Sequence, residues 1–141
     1  MRRHITAIAL LGTLAFGTAA QADYEAGVSA YENRHYEAAF DYFLEEAQND
    51  HLDAQVRLGH MYWRGEGTAR NLVRAGMWLT VAYLSGRTEL VGPLEELRGD
   101  MSEGQLVMAE RMAIEWVVGE APDTENLYQI QDQYGLPEEQ L

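Results

Sequence analysis

The chain has 141 residues and a formal net charge of −13, from 23 acidic residues and 10 basic residues that are all arginine. A charge this negative repels phosphate backbones and anionic lipid, so it argues against binding to nucleic acid or to a membrane surface. The lack of cysteine excludes disulfides and Cys-ligated zinc, and the lack of lysine excludes a P-loop lysine and a Schiff base. The length suits a single domain with its own core.

Residues 1–22 have the features of a secretory signal peptide. Arg2 and Arg3 precede an uncharged apolar run, Ile5–Gly17, and the small residues that follow suit cleavage after Ala22. The run is shorter than the roughly 20 apolar residues of a membrane span, so we expect no stable span after cleavage. We therefore predict a secreted chain, periplasmic in a Gram-negative organism. Its mature net charge would be −15, because cleavage removes two arginines and no acidic residue.

Residues 23–118 show apolar residues three and four apart, with no sustained alternation, so we predict an all-α domain. The predicted breaks between its first helices are Asn33-Arg34, Asn49-Asp50, the glycine-rich run Arg64–Gly67 and Ser85-Gly86. Asn71 is predicted to open the fourth helix as its cap. Gly92-Pro93 is predicted to break or kink a helix that begins near Thr88, since proline lacks a donor and clashes with the preceding turn.

A capping box predicts the start of a further helix. Ser102 and Gln105 have the spacing at which each side chain satisfies the other residue's backbone N–H. The helix that follows would direct its apolar residues inward as far as Trp116. Methionines along these helices, at 61, 77, 108 and 112, are most simply core residues.

Two helix pairs repeat with a period in the thirties. Ala39 and Ala75 lie 36 residues apart, and Ala47 and Ala82 lie 35 apart. Small residues stand where helices must approach closely, and larger ones fill the gaps between pairs. One helix pair cannot bury its apolar face alone, so we predict a short solenoid of antiparallel helix pairs.

The spacing of one segment is specific. Its landmarks are Ala54, Leu58, Gly59, Tyr62, Gly65, Gly67, Asn71, Ala75, Trp78 and Ala82. This segment resembles a full unit of the Sel-one-like repeat family, a relative of the tetratricopeptide repeat. It departs from the pattern with Thr68 for valine, Asn71 for aspartate and Tyr83 for the last alanine. An earlier set, Gly27, Ala39 and Phe43, resembles the plainer tetratricopeptide spacing. The segment from Met101-Ser102 to Trp116 resembles a C-terminal capping helix.

The resemblance implies an adaptor that binds a peptide or protein segment on the concave face of its repeats. The first helix of each pair lines that face, and the candidate contact residues there are Tyr31, Arg57, His60, Tyr62, Trp63 and Arg64. Aromatic residues and arginine are favoured at interface hot spots. Tyr62 also matches a packing position of the family. An exposed Trp63 beside Arg64 is the sharpest indication of a contact surface. The acidic charge favours a partner with a basic surface, or serves solubility alone.

Two other functions stay open as alternatives. The first is an inhibitor or immunity-type binder of a secreted toxin or enzyme. The second, and weaker, is a cell-wall hydrolase, and we predict no enzyme because no nucleophile–base set occurs. His51 and Asp53 have no further ligand at a metal spacing, so we predict no metal and no cofactor. Adjacent acids such as Glu45-Glu46 point apart on a helix and are interpreted as a solvated face.

Residues 119–141 form an acidic tail with one predicted short helix. Asp123 is placed to cap it, Leu127, Ile130 and Tyr134 share a face, and Gly135 ends it. The tail either caps the open end of the solenoid or docks on a partner. We favour the cap, because a solenoid needs a polar outer surface at its end.

Overall fold

The computed structural model describes residues 18–119 and 124–140, and every element among them is helical. The α-helices are α1 (Thr18–Glu32), α2 (Tyr36–Gln48), α3 (Leu52–Arg64), α4 (Leu72–Leu84), α5 (Val91–Asp100), α6 (Glu103–Val118) and α7 (Thr124–Tyr134). Short 3₁₀ helices occupy Thr88–Leu90 and Glu138–Gln140. The all-α prediction is therefore confirmed for these residues.

The predicted breaks coincide with backbone that cannot continue a helix. Arg34 and Asp50 have φ angles of 61° and 62°, and Gly65, which ends α3, has a φ of 70°. A residue in this left-handed region reverses the chain after a helix, and glycine adopts it without a steric cost. The short connections at these points bring α1 against α2, α2 against α3 and α3 against α4.

Two predicted helix caps are confirmed. The Asn71 side chain accepts a hydrogen bond from the Arg74 backbone N–H at 2.9 Å and so satisfies a free donor at the start of α4. At the start of α6, Ser102 accepts from the Gln105 N–H at 3.3 Å, and Gln105 accepts from the Ser102 N–H at 3.0 Å. This reciprocal pair is the predicted capping box.

The main core lies between α1, α2, α3 and α4, with α5 and α6 against its far side. Phe43, Leu58 and Leu79 are fully buried in it. Two glycines stand at close helix contacts in this core: a Cβ on Gly27 would lie 2.8 Å from Phe43 Cε1, and a Cβ on Gly59 would lie 2.7 Å from Leu79 Cγ. The expectation that small residues stand at close helix contacts is confirmed at both positions.

The start of α5 differs from the prediction. A 3₁₀ turn at Thr88–Leu90 leads directly into α5, and Gly92-Pro93 lies inside its first turn rather than at a break. The prediction was wrong because it placed the proline in a helix interior. The first turn of a helix has no intrahelical partners for its N–H groups, so proline costs little there.

The tail packs onto the rest of the chain. Helix α7 lies against α6, and Leu127 is buried with Val73, Met108 and Ala109 in a second, smaller core. At its end, the Asn71 Nδ2 donates a hydrogen bond to the Glu139 carbonyl at 3.0 Å. The predicted stop is confirmed, since Gly135 has a φ of 62° after the last turn of α7.

Some predictions concern residues at the edge of the described part. Residues 1–17, which include the apolar run of the predicted signal peptide, lie outside the described residues, as does the predicted cap Asp123. The predicted cleavage point after Ala22 falls within α1. Among the residues that are described, no helix has both the length and the apolar character needed to cross a membrane.

Candidate functional site

A groove of about 330 Å³ runs between α1 and α3. We call it the arginine groove, and its lining residues are Tyr24, Tyr31, Asp53, Val56, Arg57, His60, Met61, Arg64, Arg87 and Glu89. Four of the six candidate contact residues named above, Tyr31, Arg57, His60 and Arg64, meet in it. Three of the chain's ten arginines line this one groove.

Helical periodicity places the α3 side chains together. Arg57, His60 and Arg64 are three and four residues apart, so they share one face of the helix. The opposite side of the same helix carries Gln55, Gly59 and Tyr62, which are buried. Because the opposite side is held in the core, the groove side chains are presented in a defined orientation.

Arg57 is the central cation of the groove. Its guanidinium lies 5.8 Å from the centre of the Tyr31 ring and 5.9 Å from that of the Phe43 ring. It forms no ion pair with any described residue. Cation–π contacts hold the side chain in place while they leave the N–H donors of the guanidinium available to an outside acceptor.

Tyr31, Glu66 and Arg64 form a polar network at the groove. The Tyr31 hydroxyl donates to Glu66 Oε2 at 2.7 Å, and Arg64 Nη1 lies 4.0 Å from the same oxygen. Burial, together with the hydrogen bond and negative charge of Glu66, raises the pKa of Tyr31. The phenol therefore stays protonated at neutral pH and ties α1 to the loop after α3.

His60 is kept neutral by its surroundings. Burial lowers its pKa, and the positive charges of Arg64 and Arg57 lower it further. Its Nδ1 is buried and has no hydrogen-bond partner among the described residues. A neutral imidazole carries one donor and one acceptor nitrogen, so His60 can take part in a hydrogen bond of either kind with a bound group.

Arg87 differs from Arg57 because its charge is already balanced. It forms an ion pair with Asp53 of α3 and a second with Glu89 at 3.3 Å. These contacts tie the segment after α4 to the first turn of α3. Arg87 was not proposed above for partner binding, because only the fold brings its distant segment to the groove. Tyr24 was not proposed either, although it lies seven residues before Tyr31 on the same face of α1.

Trp63 does not line the groove, and the expectation that it is exposed was wrong. It is half-buried against the main core, stacks on the His60 ring at 6.0 Å, and donates from Nε1 to Asp100 Oδ2 at 3.0 Å. Arg70 contacts the same carboxylate oxygen at 3.1 Å. Trp63 thus joins the end of α3 to the end of α5 through a contact within the chain.

Tyr62 and the other repeat landmarks have packing positions. Tyr62 is 7% exposed and meets the Phe40 ring edge-on at 5.2 Å. Also buried are Gly27, Ala39, Phe43, Ala54, Leu58, Gly59, Asn71, Ala75, Trp78 and Ala82. Gly65 and Gly67 lie in the loop after α3, with φ angles of 70° and 72°.

One acid departs from the predicted solvated face. Glu46 is 3% exposed, whereas its neighbour Glu45 is exposed. Burial raises the pKa of Glu46, and its Oε2 has no hydrogen-bond partner among the described residues. The interpretation of the pair as a solvated face was wrong for Glu46, because the fold buries its side chain, with Asp23 of α1 and His51 near it.

His51 has a structural position at the start of α3. His51 Nδ1 accepts from the Ala54 N–H at 3.4 Å at the start of α3, and its ring stacks on Tyr24 at 4.4 Å. Within residues 18–119 and 124–140, no three His, Asp or Glu side chains stand close enough to hold a metal ion. Comparison with protein-family models, curated proteins and solved structures finds no match to this chain.

Proposed function

We propose that this protein is a secreted adaptor that binds a segment of another protein in the arginine groove. The observation that carries the proposal is Arg57: two aromatic rings hold its guanidinium, and no carboxylate of the described residues pairs with it, in a chain with 23 acidic residues. Aromatic and arginine side chains in a preformed groove supply contact area and directed donors at little entropic cost. The net charge of −13 favours a partner whose wider surface is basic.

We also propose that α1–α4 form two repeats of a solenoid like that of the Sel-one-like family. Each helix packs on the next along the chain, which is the contact pattern of stacked repeats. The close approach of Gly59 to Leu79 and the Asn71 cap support the same arrangement. Under this proposal α1 and α3 are the first helices of the two pairs, and α6 with α7 caps the C-terminal end.

The test is affinity capture from an envelope extract of the native organism, at low and high salt, with mass spectrometry of the retained proteins. Wild-type protein is compared with Arg57→Gln, which keeps the size of the side chain and removes its charge. Arg34→Gln is the matched control, because Arg34 is exposed and lies outside the groove. We expect a partner that Arg57→Gln binds at least about tenfold more weakly and Arg34→Gln binds normally.

Equal capture by all three proteins would show that the partner binds elsewhere. Capture of nothing at either salt concentration would argue against the adaptor function itself. A captured enzyme or toxin whose activity the protein blocks would instead favour the inhibitor function over a general adaptor.

A further inference from the structure

A second groove, distinct from the arginine groove, is apolar. It measures about 330 Å³ and is formed by the end of α4, the start of α5 and the middle of α6. We call it the apolar groove. Its apolar lining residues are Tyr83, Leu84, Val91, Leu94 and Ile114. Three of these side chains are unusually open to solvent: Leu84 is 50%, Val91 47% and Ile114 54% exposed.

The apolar surface continues along α6. Val117 and Val118 are three and four residues beyond Ile114, on the same side of the helix, and are 49% and 60% exposed. Large apolar side chains exposed singly are ordinary, but three in one groove, with two more one turn further along the same helix face, are typical of a surface that another molecule covers. Nothing in the proposed adaptor function uses this surface.

The charges around the apolar groove indicate what covers it. Its polar lining includes Glu95, Glu110 and Arg98. Arg98 is neutralised by an ion pair with Glu110 at 2.8 Å, whereas Glu95 forms no ion pair with a described residue. The groove is therefore apolar with an uncompensated acid at its edge, on a molecule whose net charge is −13. A second copy of the same chain would bring like charges together and is disfavoured.

We propose that the apolar groove is a docking site for a basic amphipathic helix. The large aliphatic side chains of such a helix, spaced three and four residues apart, would cover Leu84, Val91 and Ile114. A lysine or arginine at the edge of its apolar face would pair with Glu95. The occupant is a helix because a groove between packed helices accepts the ridge of another helix, and because a helix satisfies its own backbone groups over an apolar floor.

The probe is a synthetic leucine–lysine peptide of about five helical turns, with leucines at positions i, i+3, i+4 and i+7. A peptide with every lysine replaced by glutamate is the charge control. Binding is measured by titration calorimetry below the concentration at which either peptide self-associates. We expect the lysine peptide to bind, the glutamate peptide to bind at least about tenfold more weakly, and the affinity to fall as salt rises.

Protein variants locate the site. Leu84→Ser/Ile114→Ser should weaken binding at least about tenfold, and both positions are exposed enough for the variant to fold. Glu95→Gln should weaken it and reduce the salt dependence. Tyr128→Ser, an exposed aromatic on α7, and Arg57→Gln, in the arginine groove, should bind as wild type does.

Three results would overturn the proposal. The first is that the lysine peptide does not bind the wild-type protein. The second is that the peptide binds the double variant as tightly as it binds the wild type. The third is that the wild-type protein is a dimer and the double variant is a monomer. The Arg57→Gln result separates this proposal from the adaptor function, since either groove can fail alone.

Discussion

At the scale of single residues, burial rather than residue type decides how a side chain behaves. Glu45 and Glu46 are neighbours of the same type, yet one is exposed and the other is 3% exposed. The buried carboxyl loses hydration that the fold does not replace at Oε2, so its pKa rises from the ordinary value of 4.5. The protonated form is therefore the one that the fold favours.

This gives a pH-dependent prediction for Glu46→Gln. Below pH 4.5 the carboxyl is protonated in both the folded and the unfolded chain, and it carries no charge penalty. As the pH rises above that value, the unfolded chain loses the proton more readily, so folding stability falls. Urea unfolding should show the variant about 1 kcal/mol more stable than wild type at pH 7 and nearly equal to it at pH 4.

Glu45→Gln is the matched control and should change stability by less than about 0.5 kcal/mol at either pH, because its carboxyl is solvated. A loss of stability in Glu46→Gln at pH 7 would instead mean that the buried carboxyl is charged and paired.

At the scale of elements, two loops with the same backbone angle have different constraints. Gly67, between α3 and α4, and Gly119, after α6, both have a φ of 72°. A Cβ on Gly67 would overlap the Tyr36 carbonyl at the start of α2, whereas a Cβ on Gly119 meets no atom of the described residues within 4 Å. The first loop is therefore packed between helices, and the second is open.

The comparison of Gly67→Ala with Gly119→Ala separates backbone strain from packing. Gly119→Ala should cost about 1 kcal/mol, the price of a left-handed alanine. Gly67→Ala adds the displacement of α2 and should cost roughly 3 kcal/mol or more, measured by urea unfolding. Equal losses would show that the loop moves away from Tyr36 without consequence.

At the scale of the whole molecule, the tail belongs to the folded unit. Leu127 of α7 is buried against Val73 and Met108, which joins the tail to α4 and α6. The Asn71 side chain links the start of α4 to the tail, since its oxygen caps α4 and its Nδ2 donates a hydrogen bond to the Glu139 carbonyl. Packing contacts therefore cross the boundary predicted between residues 118 and 119.

Leu127→Ala tests how much this contact contributes. Removing a buried leucine side chain should destabilise the whole domain by about 2 to 4 kcal/mol in a single unfolding transition. Tyr128→Ala, one residue along and 59% exposed, should change stability by less than about 0.5 kcal/mol. An early, separate transition in Leu127→Ala would mean that the tail unfolds independently.

Local rules of the chain were enough to predict the helices, their breaks and two of their caps. These rules are hydrophobic periodicity, a left-handed residue after a helix, and the Ser102–Gln105 spacing. Each involves residues only a few positions apart, so no tertiary contact is needed to predict the features that it produces. Helical spacing in α3 also correctly predicted that Arg57, His60 and Arg64 lie on one face. The break predicted at Gly92-Pro93 was wrong because the position of a proline within a helix depends on where the preceding turn ends.

Contacts between distant segments determine whether a side chain already has a partner within the fold. Trp63 looked exposed in the sequence, but Asp100, 37 residues away, accepts its indole N–H. Arg57 and Arg87 look alike in the sequence, yet Arg87 is paired with Asp53 while Arg57 rests on aromatic rings. The partners that satisfy a charge or a donor come from distant segments, and neither periodicity nor spacing contains that information.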